Sequence, residues 1–188
     1  MTCGHHHRKR IEEIIRSSEL LRLGLGTASQ LNLPSWWIVG GAIRDEVWKS
    51  ITGQLPASPV ADLDLVYFDK QSTSKATDNA LEGRLPKHLN VPWSIKNQAR
   101  MHGANRPPYS CAEEGIHCAP ETISSIAIKL TPSGDLMIVS FYNLEDLFDC
   151  VLRPTPAYLS RATLDEYKQR VSQKSWLTKW PMARIEPW

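Results

Sequence analysis

The sequence predicts a domain that mixes β-strands with α-helices, an α/β (α+β) fold, and three observations carry that expectation. Short apolar runs, WWIV and LDLVYF, alternate with segments of helical period. The pair Gly40-Gly41 follows the first run directly and lets the chain turn tightly into a helix, so the local order is strand, glycine turn, helix. A chain of 188 residues, 41% hydrophobic, can bury one sizeable core without disulfides.

Ile11, Ile14, Ile15 and Leu21 recur at helical spacing among charges and predict an amphipathic helix over residues 8–23. Residues 1–7 are expected to form a disordered terminus, with His5 to His7 inert. After Pro34, residues 36–39 read as a buried strand and residues 42–51 as the helix that the glycines open. A linker rich in proline and small residues, GQLPASPVA, leads to a second strand over 63–68. Along it Leu63, Leu65 and Tyr67 face opposite to Asp62, Asp64 and Val66. A helix is expected over 75–85, a third strand over 93–97, and a loop or short helix in GANRPPYSCAEEG. Residues 123–130 and 135–141, separated by TPSG, suit an antiparallel hairpin. NLEDLFDCVL and residues 157–171 read as helices before a tryptophan-rich tail.

Formal net charge is +2 for the whole chain, yet residues 151–188 hold seven Lys and Arg against three Asp and Glu. This basic helical end is a solvated face or a surface for a polyanion, the former being the commoner use. Four cysteines without CxxC spacing suit a reducing compartment. The start, MTCGHHHRKR, is charged where a signal peptide turns apolar, and no run approaches about 18 apolar residues. The expected location is the cytoplasm or the nucleus, with no membrane span. His102, Cys111, His117 and Cys118 are the right donor types for zinc, but their spacing matches no compact finger, and a Cys-His nucleophile there has no better support.

Two motifs carry chemistry. Asp62 and Asp64, one residue apart on a strand, point to the same face and can share a hard cation, Mg²⁺ or Mn²⁺; two exposed acids on an edge strand are the alternative. Gly40-Gly41 at a helix start offers unhindered backbone N–H groups to phosphate oxygens; a plain tight turn is the alternative.

The combination of GGAIRD with DLD about twenty residues later resembles the nucleotidyltransferase superfamily of DNA polymerase beta, and GGAIRD itself is most similar to the CCA-adding version. The RRDFT-type block of those enzymes is missing, and the chain is too short for their tRNA-binding domains. VGGAIRDEVW, DLDLVYFD, WSIKNQARMH, PPYS, APETISSIAIKL, NLEDLFDCVLRPTP and KSWLTKWP resemble, in that order, a stand-alone nucleotidyltransferase-like family. The resemblance implies one domain over residues 1–188, with a small mixed β-sheet and helices packed on it. It implies transfer of a nucleotidyl group from an NTP to an unknown acceptor, a nucleic acid not being favoured. Gly40 and Gly41 would hold the triphosphate, and Asp62 and Asp64 would bind the metals and carry catalysis.

A third carboxylate is expected in the block WEVKNQARMH, and here its position is Ser94, a much weaker ligand for a hard cation. The chain is then a non-catalytic binder, or Asp45 or Glu46 substitutes, or the acid aligns elsewhere. Lys96 and Arg100 are candidates to neutralise phosphate, and Asn97 to fix a base or sugar, against the alternative of surface or salt-bridged roles. Arg44 either faces phosphate or pairs with an acid. Trp176 and Trp180, four apart with Lys174 and Lys179 nearby, are read as packing residues rather than base-stacking platforms.

Overall fold

A computed structural model describes residues 3–53, 62–85, 91–102, 107–160 and 162–186. Apart from Gly53, the linker expected at 53–61 lies outside the described residues, as do residues 103–106 of the GANRPPYSCAEEG segment.

The amphipathic stretch at the start forms two helices, α1 (Cys3–Ser17) and α2 (Glu19–Gln30), where one was expected. Ser18 divides them: its hydroxyl accepts from the Leu21 amide, an N-cap that begins a new helix. Helix α1 also starts earlier than expected. Residues 3–7 are helical rather than disordered, and the His7 ring stacks on Phe148 at 4.3 Å.

The chain continues through β1 (Trp37–Val39), α3 (Gly41–Thr52), β2 (Leu63–Tyr67), α4 (Lys75–Arg84) and β3 (Trp93–Asn97). After α5 (Ala112–His117) come β4 (Ile126–Leu130) and β5 (Leu136–Ser140), the expected hairpin, with Gly134 at φ +88° in its turn. The five strands form one sheet in the order β3-β2-β1-β4-β5. Within this sheet β2 and β3 run parallel, since α4 crosses between them, and its other pairs are antiparallel. The sheet is therefore mixed.

Strand parity gives the sheet two faces. Ile38, Leu63, Leu65, Ile95, Ile126 and Ile128 join the main core with Ile11, Ile15 and Leu21 of α1 and α2. Helix α2 lies so close to β2 that a Cβ on Gly24 would come within 2.6 Å of Leu63 Cδ2. On the other face Trp37, Val66 and Ala127 pack with Ala112 and Ile116 of α5. Asp64 shares that second face, as the alternation in LDLVY requires.

The remaining elements are α6 (Glu145–Phe148), β6 (Val151–Leu152), α7 (Pro156–Leu159), α8 (Leu164–Lys174), α9 (Trp176–Lys179) and β7 (Arg184–Ile185). The helix expected over NLEDLFDCVL stops at Phe148, because Cys150 at φ +56° turns the chain into β6. The helix expected over 157–171 is two helices, since Thr163 caps α8 with a capping box completed by Glu166. Trp180 is fully buried and meets Trp48 edge-to-face at 5.6 Å. Among the described residues no helix is long and apolar enough to cross a membrane.

Candidate functional site

Strand register assembles the site. Val39 of β1 pairs with Asp64 of β2, and Asp64 pairs with Ser94 of β3, so the three lie abreast. Gly40 follows Val39 directly, and the glycine turn therefore rises from the sheet beside Asp64 on the side of Asp62. Gly40 has φ +71° and ψ −123°, a conformation that suits glycine, and a Cβ there would meet nothing within 4 Å. It is the N-cap of α3 and supplies no capping side chain, which leaves the first amides of that helix to other partners.

These residues line a cleft of about 580 Å³, within the usual range for small-ligand sites. Val39, Gly40, Gly41, Asp62, Asp64 and Lys96 line it from the sheet and the start of α3. Gly115 and Ile116 of α5 and the C-terminal residues Tyr158, Arg170, Lys174, Trp176 and Lys179 line it as well.

The acids differ in environment. Asp64 accepts from Lys96 Nζ at 2.9 Å. Asp62 has its pKa raised, first by burial and then by the Asp64 charge, against the opposing fields of Lys96, Lys174 and Lys179. Among the described residues no three His, Cys, Asp or Glu side chains gather as a metal-holding group. Ser94 lies on the Asp64 and Lys96 face of the sheet, abreast of Asp64, but is not among the residues that line the cleft.

Neither suggested substitute is available to a metal. Asp45 is buried, and its carboxylate accepts from Arg44 Nε at 2.9 Å, Lys179 Nζ at 2.8 Å and Trp180 Nε1 at 3.2 Å. Glu46 lies outside the cleft lining and pairs with Lys49 at 3.7 Å. Arg44 pairs with an acid, as one of its two expected roles required, and its guanidinium still reaches the cleft beneath Gly41.

Asn97 and Arg100 are not brought into the cleft. The Asn97 side chain is fully buried, donates to the Asp69 and Ser72 carbonyls, and accepts from the Asp69 and Ala99 amides. Arg100 pairs with buried Asp78, which also accepts from Tyr67 Oη at 2.8 Å. Strand parity explains Asn97, for Ser94 and Lys96 share the Asp64 face while Ile95 and Asn97 face away; Arg100 lies in the short helical turn past the strand. Gln98, just past the strand, does line the cleft, and the same period of two could have pointed to it. The C-terminal lining had a weaker signal in the basic excess of residues 151–188 and in the lysines around Trp176 and Trp180.

No curated protein matches this chain. Among solved structures, one whose NMR structure reveals a CCA-adding enzyme head domain is similar at a TM-score of 0.82 and 25% identity, over 96% of both chains. The Thermotoga maritima CCA-adding enzyme complexed with tRNA matches with a TM-score of 0.57 and 18% identity over 94% of this chain. A CCA-adding enzyme complexed with ATP matches with a TM-score of 0.55 and 19% identity over 91% of this chain. The matches span only 42% and 40% of those two longer chains, and at this identity they show the fold alone. The sequence model of a family described as Nucleotidyltransferase matches residues 26–185, and the chain belongs to that family.

Proposed function

We propose that the cleft binds an NTP and that the chain transfers its nucleotidyl group to an acceptor hydroxyl or phosphate, with Mg²⁺ or Mn²⁺ held by Asp62 and Asp64. The observation that carries this is the register that sets an uncapped, glycine-opened helix start beside two carboxylates in one cleft. The amides at the start of α3 would hold phosphate oxygens, favoured by the helix dipole. Arg44 and Lys96 line the same cleft and would offset phosphate charge. The donor set fits a divalent ion: Mg²⁺ keeps several waters and needs one or two carboxylates besides the nucleotide's own oxygens. When bound, such an ion would neutralise charge on the triphosphate and on the departing pyrophosphate. The fold-related structures solved with ATP and with tRNA make an NTP the natural donor to test; the acceptor is open, and tRNA is one candidate.

The position of Ser94 favours a second reading, in which the chain binds nucleotide without catalysis. One experiment divides the two. The protein is incubated with α-labelled NTP, Mg²⁺ or Mn²⁺ and a pool of acceptors, and the melting temperature is followed in parallel. Label transfer that is lost in Asp62→Ala and Asp64→Ala supports the enzyme, while a nucleotide-dependent rise in melting temperature without transfer supports the binder. Transfer that survives both substitutions would sink the metal assignment.

A further inference from the structure

We propose that Lys174 is an anion-binding residue of the cleft and that it holds a phosphate group of the bound nucleotide or of a phosphorylated acceptor; this rests on the reading of the cleft as an NTP site. Among the described residues five cationic side chains line the cleft, and four of them pair with three acids. Arg44 and Lys179 pair with Asp45, Lys96 pairs with Asp64, and Arg170 pairs with fully buried Glu121 at 2.6 Å. The Lys174 side chain has no hydrogen bond or salt bridge to any described residue, and its charge is among those that oppose the raised pKa of Asp62.

Its backbone is not loosely placed. Lys174 is the last residue of α8, and Ser175, at φ +51°, turns the chain straight into α9. Four residues before it Arg170 is fixed to Glu121, and five residues after it Lys179 is fixed to Asp45. Trp176, 5% exposed, anchors the turn between them. The segment thus brings one exposed ammonium group, paired with no described residue, to the cleft that the aspartates also line. A lysine in that position gains little from the protein itself and has a charge-assisted hydrogen bond to offer a phosphate oxygen.

The test is calorimetric titration of wild type, Lys174→Ala, Lys174→Arg and Lys168→Ala with adenosine, MgATP and inorganic tripolyphosphate, followed by titration of the MgATP-saturated protein with inorganic phosphate. Lys168 lies on the same helix, is exposed, and approaches Asp165 at 3.9 Å, so it serves as the charge control. Loss of about tenfold in MgATP and tripolyphosphate affinity in Lys174→Ala, with adenosine unaffected, supports the proposal and assigns the contact to the nucleotide. Unchanged MgATP affinity with phosphate binding lost on the saturated protein supports it and assigns the contact to the acceptor. In either case Lys174→Arg retains binding. If wild type binds MgATP and Lys174→Ala matches it in every titration, or Lys168→Ala loses as much, the proposal is overturned while the NTP site stands. If wild type binds neither MgATP nor tripolyphosphate, the NTP reading itself falls, and the proposal with it.

Discussion

Burial and the Asp64 carboxylate hold Asp62 above its ordinary pKa, so the folded chain binds that proton more tightly than the unfolded chain does. Between the unfolded and folded pKa values stability therefore falls as pH rises, and above the folded value the penalty is complete. Asp62→Asn is expected to melt higher than wild type at pH 7, with the difference vanishing below about pH 4, where an ordinary aspartate is protonated. Equal melting temperatures at pH 7 would contradict it. Gly40 imposes a backbone constraint rather than an electrostatic one: Gly40→Ala is expected to cost about 1–3 kcal/mol in denaturant melts through φ +71° alone, since no atom lies where its methyl would go. Ser94→Glu tests the register, because a carboxylate abreast of Asp64 should tighten Mn²⁺ binding in calorimetry; unchanged affinity would mean that position 94 does not reach the site. The sequence was most informative at this scale where period two was applied, as with Asp64 opposite Leu63 and Leu65. It misled where a polar residue was taken for a ligand without asking which face it used, as with Asn97.

At the scale of elements, strands and helices were legible wherever hydrophobic period alone decides, and β3 and the start of α1's buried stripe are cases in point. Breaks within a helical pattern were not, since a single hydroxyl at Ser18 or Thr163 can end one helix and begin another without disturbing the apolar period. Nor does any local pattern announce that α9 docks on α3. That contact runs through Asp45, which binds Arg44 beside it and Lys179 and Trp180 more than 130 residues away. Asp45→Ala is expected to destabilise the fold by about 3 kcal/mol, because it removes the buried carboxylate that two largely buried cations, Arg44 and Lys179, share. Urea melts read the loss. A loss no larger than about 1 kcal/mol would show that these charges find water or another partner, and that α9 is held by its tryptophans instead.

For the whole molecule, the cleft draws its lining from β1 and α3, β2, the 96–101 segment, α5 with the chain after it, and the C-terminal helices. A ligand seated there contacts segments far apart in sequence, so binding should stabilise the assembly of these parts as well as the site. With one site at a hundred times its Kd, a ligand specific to the folded state contributes about 2.7 kcal/mol. In a domain of this size that corresponds to a rise of about 5–10 °C in melting temperature. Saturating MgATP is expected to give such a rise, and Asp62→Ala with Asp64→Ala to remove its Mg²⁺-dependent part. Hydrogen exchange locates the effect: amides of α8 and α9, far in sequence from the glycine turn, should slow together with those at the start of α3. Protection confined to α3 and β2 would mean that the nucleotide leaves the C-terminal wall untouched, and that Lys174 and its neighbours face solvent rather than substrate.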